Sequence, residues 1–317
     1  MRIVFMGTSD FAVPSLKKLV EEGYDIAGVV TQPDRPKGRG NKIIPPPVKE
    51  IALLNDLPVY QPENIKKIEA VEYIKSWEPE LIVVVSYGQI LPKTLLELPP
   101  LGCINVHASL LPFYRGAAPI QRAIMDGRKE TGVTTMFMEE GLDTGDIIMQ
   151  LKVPIEENIT HGELEAILAW KGADLLIKTI KSLKSEKIKR QKQDGSKATY
   201  AAMLTYADEI IDWNKPASAI HNQVRALSPK PGAYTTIGKN KIKIFKSRIA
   251  EKDTEGKPGT ILTVNKDSFI VQTGKGSLEI LELQREGKKR MPASEFIKGN
   301  RIIEGLVLGR QENFDEN

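Results

Sequence analysis

The sequence predicts an α/β protein: a doubly wound, mostly parallel sheet followed by a second, smaller β-barrel domain. Three observations point there. Through the first half, short apolar runs rich in Ile and Val alternate with helical patterns. Near residue 190 a polar stretch, Gln191-Lys192-Gln193-Asp194-Gly195-Ser196, lacks periodicity. Beyond it come short strands at close spacing, parted by Gly, Lys and Asp turns. Alternating β and α places helices on both faces of a parallel sheet, and closely spaced short strands are the pattern of a small barrel.

The elements follow in order. Met-Arg-Ile-Val-Phe-Met-Gly holds one charge and four apolar residues before Gly7, which reads as a first strand over Ile3–Met6 and not as a signal peptide. Ile26–Val30, Leu81–Val85 and Cys103–Val106 read as buried strands, being short, β-branched and bounded by turn residues. Phe11–Val20, Val48–Leu54 and Ile65–Trp77 between them carry helical spacing, so the first domain is Rossmann-like. Val133–Met138 and Ile147–Val153 read as further strands, and Glu163–Leu183 as a long amphipathic helix ending in the Lys-dominated stretch 184–192. The expected division is a catalytic domain over 1–189, a linker over 190–208 and a C-terminal domain over 209–317. In the last, Ala217–Leu227 reads as a helix, Pro231-Gly232 as a turn, and Ile242–Phe245, Gly259–Val264, Phe269–Thr273 and Leu278–Leu283 as strands.

Composition limits the function classes. The 317 residues are 41% hydrophobic and 27% charged, as in globular proteins, and no apolar run approaches the ~20 residues that span a bilayer. Cys103 is the only cysteine, so neither a disulfide nor a cysteine metal cluster can form, and a reducing cytoplasm fits best. From Glu209 onward there are 19 Lys+Arg against 14 Asp+Glu, a net +5, whereas residues 1–208 hold 26 against 27, a net −1. That asymmetry is compatible with a polyanionic partner on one domain and equally with solvated lysines.

Gln32 to Pro47, QPDRPKGRGNKIIPPP, contains five prolines and is neither helix nor central strand. It carries Arg35, Lys37, Arg39 and Lys42 against one acid, Asp34. Loops this long inside a domain are commonly functional, and this one reads either as a floppy surface excursion or as a basic flap that orders on phosphates.

There are three histidines. His161 falls at a helix start, where capping is the simplest role, and His221 lies in a helix among polar neighbours, a surface or interface position. No metal-ligand spacing exists among them, so no metal is expected. His107 differs. It ends the strand Gly102–Val106, at the edge where open α/β sheets bind ligands. Asn105 and His107 are two apart on extended chain and share a face, with Ile104 and Val106 on the other. A carboxamide can donate to an oxyanion on an attacked carbonyl, and an imidazole can take or return a proton near neutral pH. An isolated N-x-H fits a structural pair as well, so context matters. It follows as Ser109-Leu110-Leu111-Pro112-Phe113-Tyr114-Arg115-Gly116-Ala117-Ala118-Pro119-Ile120 and, later, Gly141-Leu142-Asp143-Thr144-Gly145-Asp146. Asp143 in its glycine-flanked turn could fix the imidazole tautomer and stabilise its charged form, or could equally be a turn residue that hydrogen-bonds its own backbone.

The runs NVHASLLPFYRGAAPIQRAI, GLDTGD and TQPDRPKGRG resemble those of the folate-dependent formyltransferases, and within them the enzymes that act on methionyl-tRNA. The resemblance spans nearly the whole chain. It implies transfer of the formyl group of 10-formyltetrahydrofolate to the α-amino group of methionyl initiator tRNA. The sequence does not fix the oligomeric state, but nothing in it demands a dimer, so a monomer is expected, with no membrane contact. The resemblance further implies Asn105, His107 and Asp143 as the catalytic trio, and Ser109, Leu110, Leu111 and Pro112 as the lining of the folate site. Arg39, with Arg35, Lys37 and Lys42 around it, would reach toward the tRNA acceptor end, and the C-terminal domain would be an OB-like barrel with a basic groove for the acceptor arm. Two departures stand out: Ala108 where many members have Gly, and Phe113 where a basic residue is common, which puts a phosphate contact at 113 in doubt. A sugar or glycinamide-nucleotide formyltransferase would share the trio but has no need of the basic loop. A nicotinamide oxidoreductase would need three glycines after the first strand, where Gly7-Thr8-Ser9-Asp10-Phe11 has one. A purely RNA-binding module would leave Asn105, His107 and Asp143 without a reason.

Overall fold

The computed structural model describes residues 1–37, 42–185, 188–250, 256–300 and 302–309. The chain forms two compact units that interleave in sequence. The first comprises residues 1–119, 130–154 and 165–201, the second 120–129, 155–164 and 202–317.

The strands of the first unit are β1 (Arg2–Gly7), β2 (Asp25–Val30), a small hairpin of β3 (Arg35–Lys37) and β4 (Lys42–Ile44), β5 (Val59–Tyr60), β6 (Leu81–Val85), β7 (Cys103–His107), β8 (Arg115–Gly116), β9 (Glu130–Phe137), β10 (Ile147–Pro154) and β11 (Tyr200–Ala201). Seven of them make one sheet in the order β10-β9-β7-β6-β1-β2-β5. Pairing is parallel from β7 to β5, while β9 runs antiparallel to β7 and β10 antiparallel to β9. The central strands need apolar side chains on both faces, which is why Leu81–Val85 is buried at every position and β1 at all but Arg2. The order reverses direction between β1 and β6, and β6 and β7 lie beside that switch, the position at which open α/β sheets generally bind ligands.

The helices of this unit are α1 (Val13–Glu21), α2 (Pro47–Leu54), α3 (Ile68–Lys75) and α4 (Lys93–Leu96), followed in the chain by α5 (Pro119–Met125) and α6 (His161–Lys184). Two starts fall later than the sequence expectation for local reasons. A 3₁₀ turn over Asp10–Ala12 precedes α1, and Pro14 takes one of the first helical positions, where its missing N–H costs nothing. The third helix starts at Ile68 because Asn64 turns the chain first, its side-chain oxygen accepting from the Lys66 amide at 2.9 Å. Gly172 in α6 leaves room for Val106 and Val133, so the helix lies close on the sheet face opposite Asn105 and His107.

In the second unit, α7 (Tyr206–Glu209) and α8 (Ala217–Ala226) precede β12 (Ala233–Ile237), β13 (Asn240–Ala250), β14 (Ile261–Val264), β15 (Phe269–Gln272), β16 (Ser277–Arg285) and β17 (Met291–Pro292), with α9 (Ala293–Gly299) last. The sheet is antiparallel in the order β12-β13-β16-β15-β14, β17 adding to β16. Register shifts around Lys246 bend β13, and the sheet surrounds a core that includes Trp213, Ile220, Val224, Leu227, Phe269, Leu283 and Phe296.

Two histidine expectations are corrected here. Capping of α6 falls to Thr160 and Glu163, whose side chains bond each other's amides, and His161 is buried behind them. His221 is buried too, its Nδ1 3.0 Å from Ser247 Oγ. Burial pushes the His161 imidazole down to about 4. Its unfolded value is about 6.5, so between these the unfolded chain holds a proton that the folded chain refuses. The stability present above about pH 6.5 is therefore lost as pH falls toward 4. Denaturant unfolding at several pH values is expected to show a smaller acid loss in His161→Gln than in the unsubstituted protein. Equal losses would mean that His161 is not the group responsible.

No helix among the described residues is long and apolar enough to cross a membrane. Nor do the described residues contain a group of three or more His, Cys, Asp and Glu placed to hold a metal.

Candidate active site

β7 presents Asn105 and His107 on one face, between β6, where Val84 pairs with Asn105, and β9, where Thr134 pairs with His107. Asn105 is half-buried, and its carboxamide has no hydrogen-bond partner among the described residues. A polar group at the ligand edge of the sheet with its donors uncommitted is suited to a substrate oxygen.

His107 is only 6% exposed. Its Nε2 lies 2.9 Å from the main-chain oxygen of Tyr114. A carbonyl only accepts, so Nε2 carries the hydrogen and Nδ1 of the neutral ring holds the lone pair. On that side stands Asp143, with Oδ2 3.7 Å from Nδ1. That is beyond a hydrogen bond and within reach of a charged ring. The tautomer is thus set by the Tyr114 carbonyl and not, as the sequence suggested, by Asp143, whose carboxylate is placed to stabilise the ring once Nδ1 is protonated.

Asp143 itself sits at φ +52°, a left-handed conformation that costs a non-glycine residue roughly 1–2 kcal/mol. It is held there at both ends. Oδ2 accepts from the Gly116 amide at 2.8 Å, and the Asp143 carbonyl accepts from Gln193 Nε2 at 2.8 Å. Two residues on, a side chain at Gly145 would overlap the Phe137 carbonyl, so only glycine lets the loop close there.

Of the four expected folate residues, Ser109 and Leu111 face inward. Ser109 Oγ donates to the Phe113 carbonyl at 2.6 Å, and Leu111 packs with Met136 and Ile147. Leu110 and Pro112 keep exposed surface. Thr134 braces the turn, donating to the Ser109 carbonyl at 2.7 Å and accepting from the Leu111 amide at 3.1 Å. In the basic loop, Arg35 is exposed on β3, Lys37 and Lys42 lie on the two hairpin strands, and Arg39 lies outside the described residues. The loop stem is anchored: Asp34 accepts from Gln61 at 2.7 Å and from Lys49 at 2.7 Å, and these bonds, that of Gln61 first, hold its carboxyl below the usual carboxylate range.

Sequence reasoning did not single out Arg115, Gln193, Thr199 or the turn after β6, where Ser86 adopts φ +49° and the Tyr87 hydroxyl is buried with no partner among the described residues. Residues 190–201 carry no apolar periodicity, and only the folded chain brings them to the site.

Residues 1–180 match the family described as Formyl transferase, and residues 203–301 match its C-terminal domain. The chain belongs to the formyl transferase family. Within that family its relatives are methionyl-tRNA formyltransferases. That of Syntrophomonas wolfei is 57% identical over 313 residues, covering 98% of this chain and 100% of the relative. That of Clostridioides difficile is 50% identical, covering 98% and 100%. Among solved structures, the sugar 3N-formyl transferase WlaRD, determined with dTDP and 5-N-formyl-THF, has a TM-score of 0.65 at 22% identity, covering 91% of this chain and 99% of that one. Methionyl-tRNA formyltransferase from Clostridium thermocellum has a TM-score of 0.55 at 20% identity, covering 79% and 94%. At such identities the structural likeness concerns the fold.

Proposed function

We infer that this protein transfers the formyl group of 10-formyltetrahydrofolate to the α-amino group of methionyl initiator tRNA, in the cytoplasm. The observation that carries the chemistry is the face of β7. There an uncommitted carboxamide, Asn105, stands beside an imidazole whose Nε2 is tied to a carbonyl and whose Nδ1 faces a carboxylate. The methionyl identity of the acceptor rests on the full-length likeness to relatives of that name.

An α-amino group has a pKa near 7.7–8.0, so a useful fraction is neutral nucleophile at neutral pH. As the amine attacks the formyl carbon, Asn105 donates to the oxygen that becomes negative. His107 Nδ1 takes the proton the amine sheds, and Asp143 stabilises the resulting cation. The same proton, returned by His107, serves the folate nitrogen as it leaves. Leu110 and Pro112 offer the folate apolar surface. The basic loop carries Arg35, Lys37, Arg39 and Lys42 on the anchored stem at Asp34 and supplies the phosphate contacts for the acceptor arm.

The test is formyl transfer from 10-formyltetrahydrofolate to methionyl initiator tRNA, with methionyl elongator tRNA as control. Transfer to the initiator alone is expected. Failure with both tRNAs while the folate still binds would redirect the acceptor to an amino sugar. Arg39→Ala is expected to raise KM for the charged tRNA and leave folate affinity unchanged. Equal loss of both would mean that the fold had been damaged. Binding of tRNA is expected to weaken steeply with added salt, because each phosphate contact releases counterions.

A further inference from the structure

We propose that Gln193 is a positioning residue for the formyl-transfer reaction, setting the geometry of Asp143 and His107 through a polar strap formed by residues 190–201. The assignment rests on the reading of Asn105, His107 and Asp143 given above.

The Gln193 amide is used to capacity. Its Nε2 donates to the carbonyls of Asp143 and Gly145, each at 2.8 Å, and its Oε1 accepts from Arg115 Nε at 3.1 Å and Nη2 at 2.7 Å. Arg115 is 5% exposed, so this bidentate contact is made by a buried cation, which polarises the amide toward the two carbonyls. Arg115 also follows Tyr114, whose carbonyl fixes the His107 tautomer. Gln193 therefore joins the two structures that flank the imidazole: the 114–116 segment on the Nε2 side and the 143–145 loop on the Nδ1 side.

The rest of the strap holds the same two structures. The Gln191 main chain pairs with Ile147, just past the Asp143 loop, and Arg190 lies over the Phe137 ring at 3.9 Å. Thr199 Oγ1 accepts from the Tyr114 amide at 2.8 Å, the Thr199 carbonyl accepts from the Arg115 amide at 2.9 Å, and β11 pairs with β8. Asp143 has a left-handed backbone and would relax if its carbonyl were released. Among the described residues, the hydrogen bonds that hold Asp143 and Gly145 come from the Gly116 amide and from Gln193. Relaxation would carry Oδ2 away from Nδ1, where 3.7 Å already leaves little reserve.

The experiment is a double-mutant cycle in steady-state formyl transfer. Gln193→Met keeps the volume and removes all four bonds, while Gln193→Glu keeps the acceptor for Arg115 and turns oxygen toward the two carbonyls. Both are expected to lower kcat by about 10–100-fold, a range typical of lost alignment in positioned reactions, with KM for either substrate within about threefold. In an Asp143→Ala background the same substitutions are expected to cost less than about twofold, because residues acting through one another are not additive. Unchanged kcat in the Asp143 protein, or a full additional loss in the Asp143→Ala protein, would overturn the proposal. An inactive unsubstituted protein, or an Asp143→Ala variant as active as it, would instead overturn the functional reading beneath it. Glutamate retains the Arg115 contact, so a folding failure of Gln193→Met alone leaves the cycle measurable.

Discussion

His107→Ala is expected to lower kcat by about 10²–10⁴-fold, the range for removing a positioned general base. The imidazole is placed both to accept a proton and to return it. Its Nδ1 lone pair is oriented by the Tyr114 carbonyl on the opposite nitrogen, 2.9 Å away. KM for either substrate is expected to change little, since proton transfer belongs to the transition state and not to the bound ground state. Truncation also removes the hydrogen bond from His107 to the Tyr114 carbonyl, at a stability cost of about 0.5–1.5 kcal/mol. Single-turnover rates should therefore be taken well below the variant's unfolding temperature. His107→Gln supplies a second reading, because a glutamine amide can donate to Tyr114 but has no basic nitrogen. Activity retained by both variants would remove His107 from the chemistry.

Asn105→Ala is expected to lower kcat by about 10²–10³-fold, as loss of one oxyanion donor does in other acyl-transfer enzymes. The carboxamide has no partner among the described residues, so its removal breaks no internal bond and stability is expected to stay nearly unchanged. That separates it from His107, whose loss affects both. Asn105→Asp is the sharper probe. A carboxylate of nearly the same shape faces the developing negative charge and repels it, so this variant is expected to be slower than Asn105→Ala. An unchanged turnover number in either variant would exclude Asn105 from oxyanion stabilisation.

The two substitutions together with the Gln193 cycle divide the site by mechanism. In the proposed mechanism Asn105 acts on the formyl oxygen, His107 on the amine proton, and Gln193 on neither directly. Only Gln193 is expected to lose its effect when Asp143 is absent.

The amino-acid sequence by itself determined the strands that carry the site. Val4, Phe5 and Leu81–Val85 are continuous apolar runs because central parallel strands are covered on both faces. The common face of Asn105 and His107 was legible for an equally local reason, the two-residue period of extended chain. Helix starts were less legible, since Asn64 and Pro14 act through turns of a few residues that apolar spacing does not record. Val133–Met138 and Ile147–Val153 were legible as strands, but their antiparallel direction was not, because β-branched residues suit either direction of pairing.

Only the tertiary structure decided how the imidazole is held. The choice of nitrogen depends on a main-chain carbonyl seven residues away, at Tyr114, and every residue type has one, so sequence carries no mark of it. Asp143 was visible as a candidate, yet its role depends on a 3.7 Å separation fixed by Gly116 and Gln193, the latter 50 residues further along the chain. Residues 190–201 are polar and aperiodic because they bind through hydrogen bonds and not through an apolar face. Hydrophobic periodicity reports burial against a core; it is silent where a segment is held by paired amides and carbonyls.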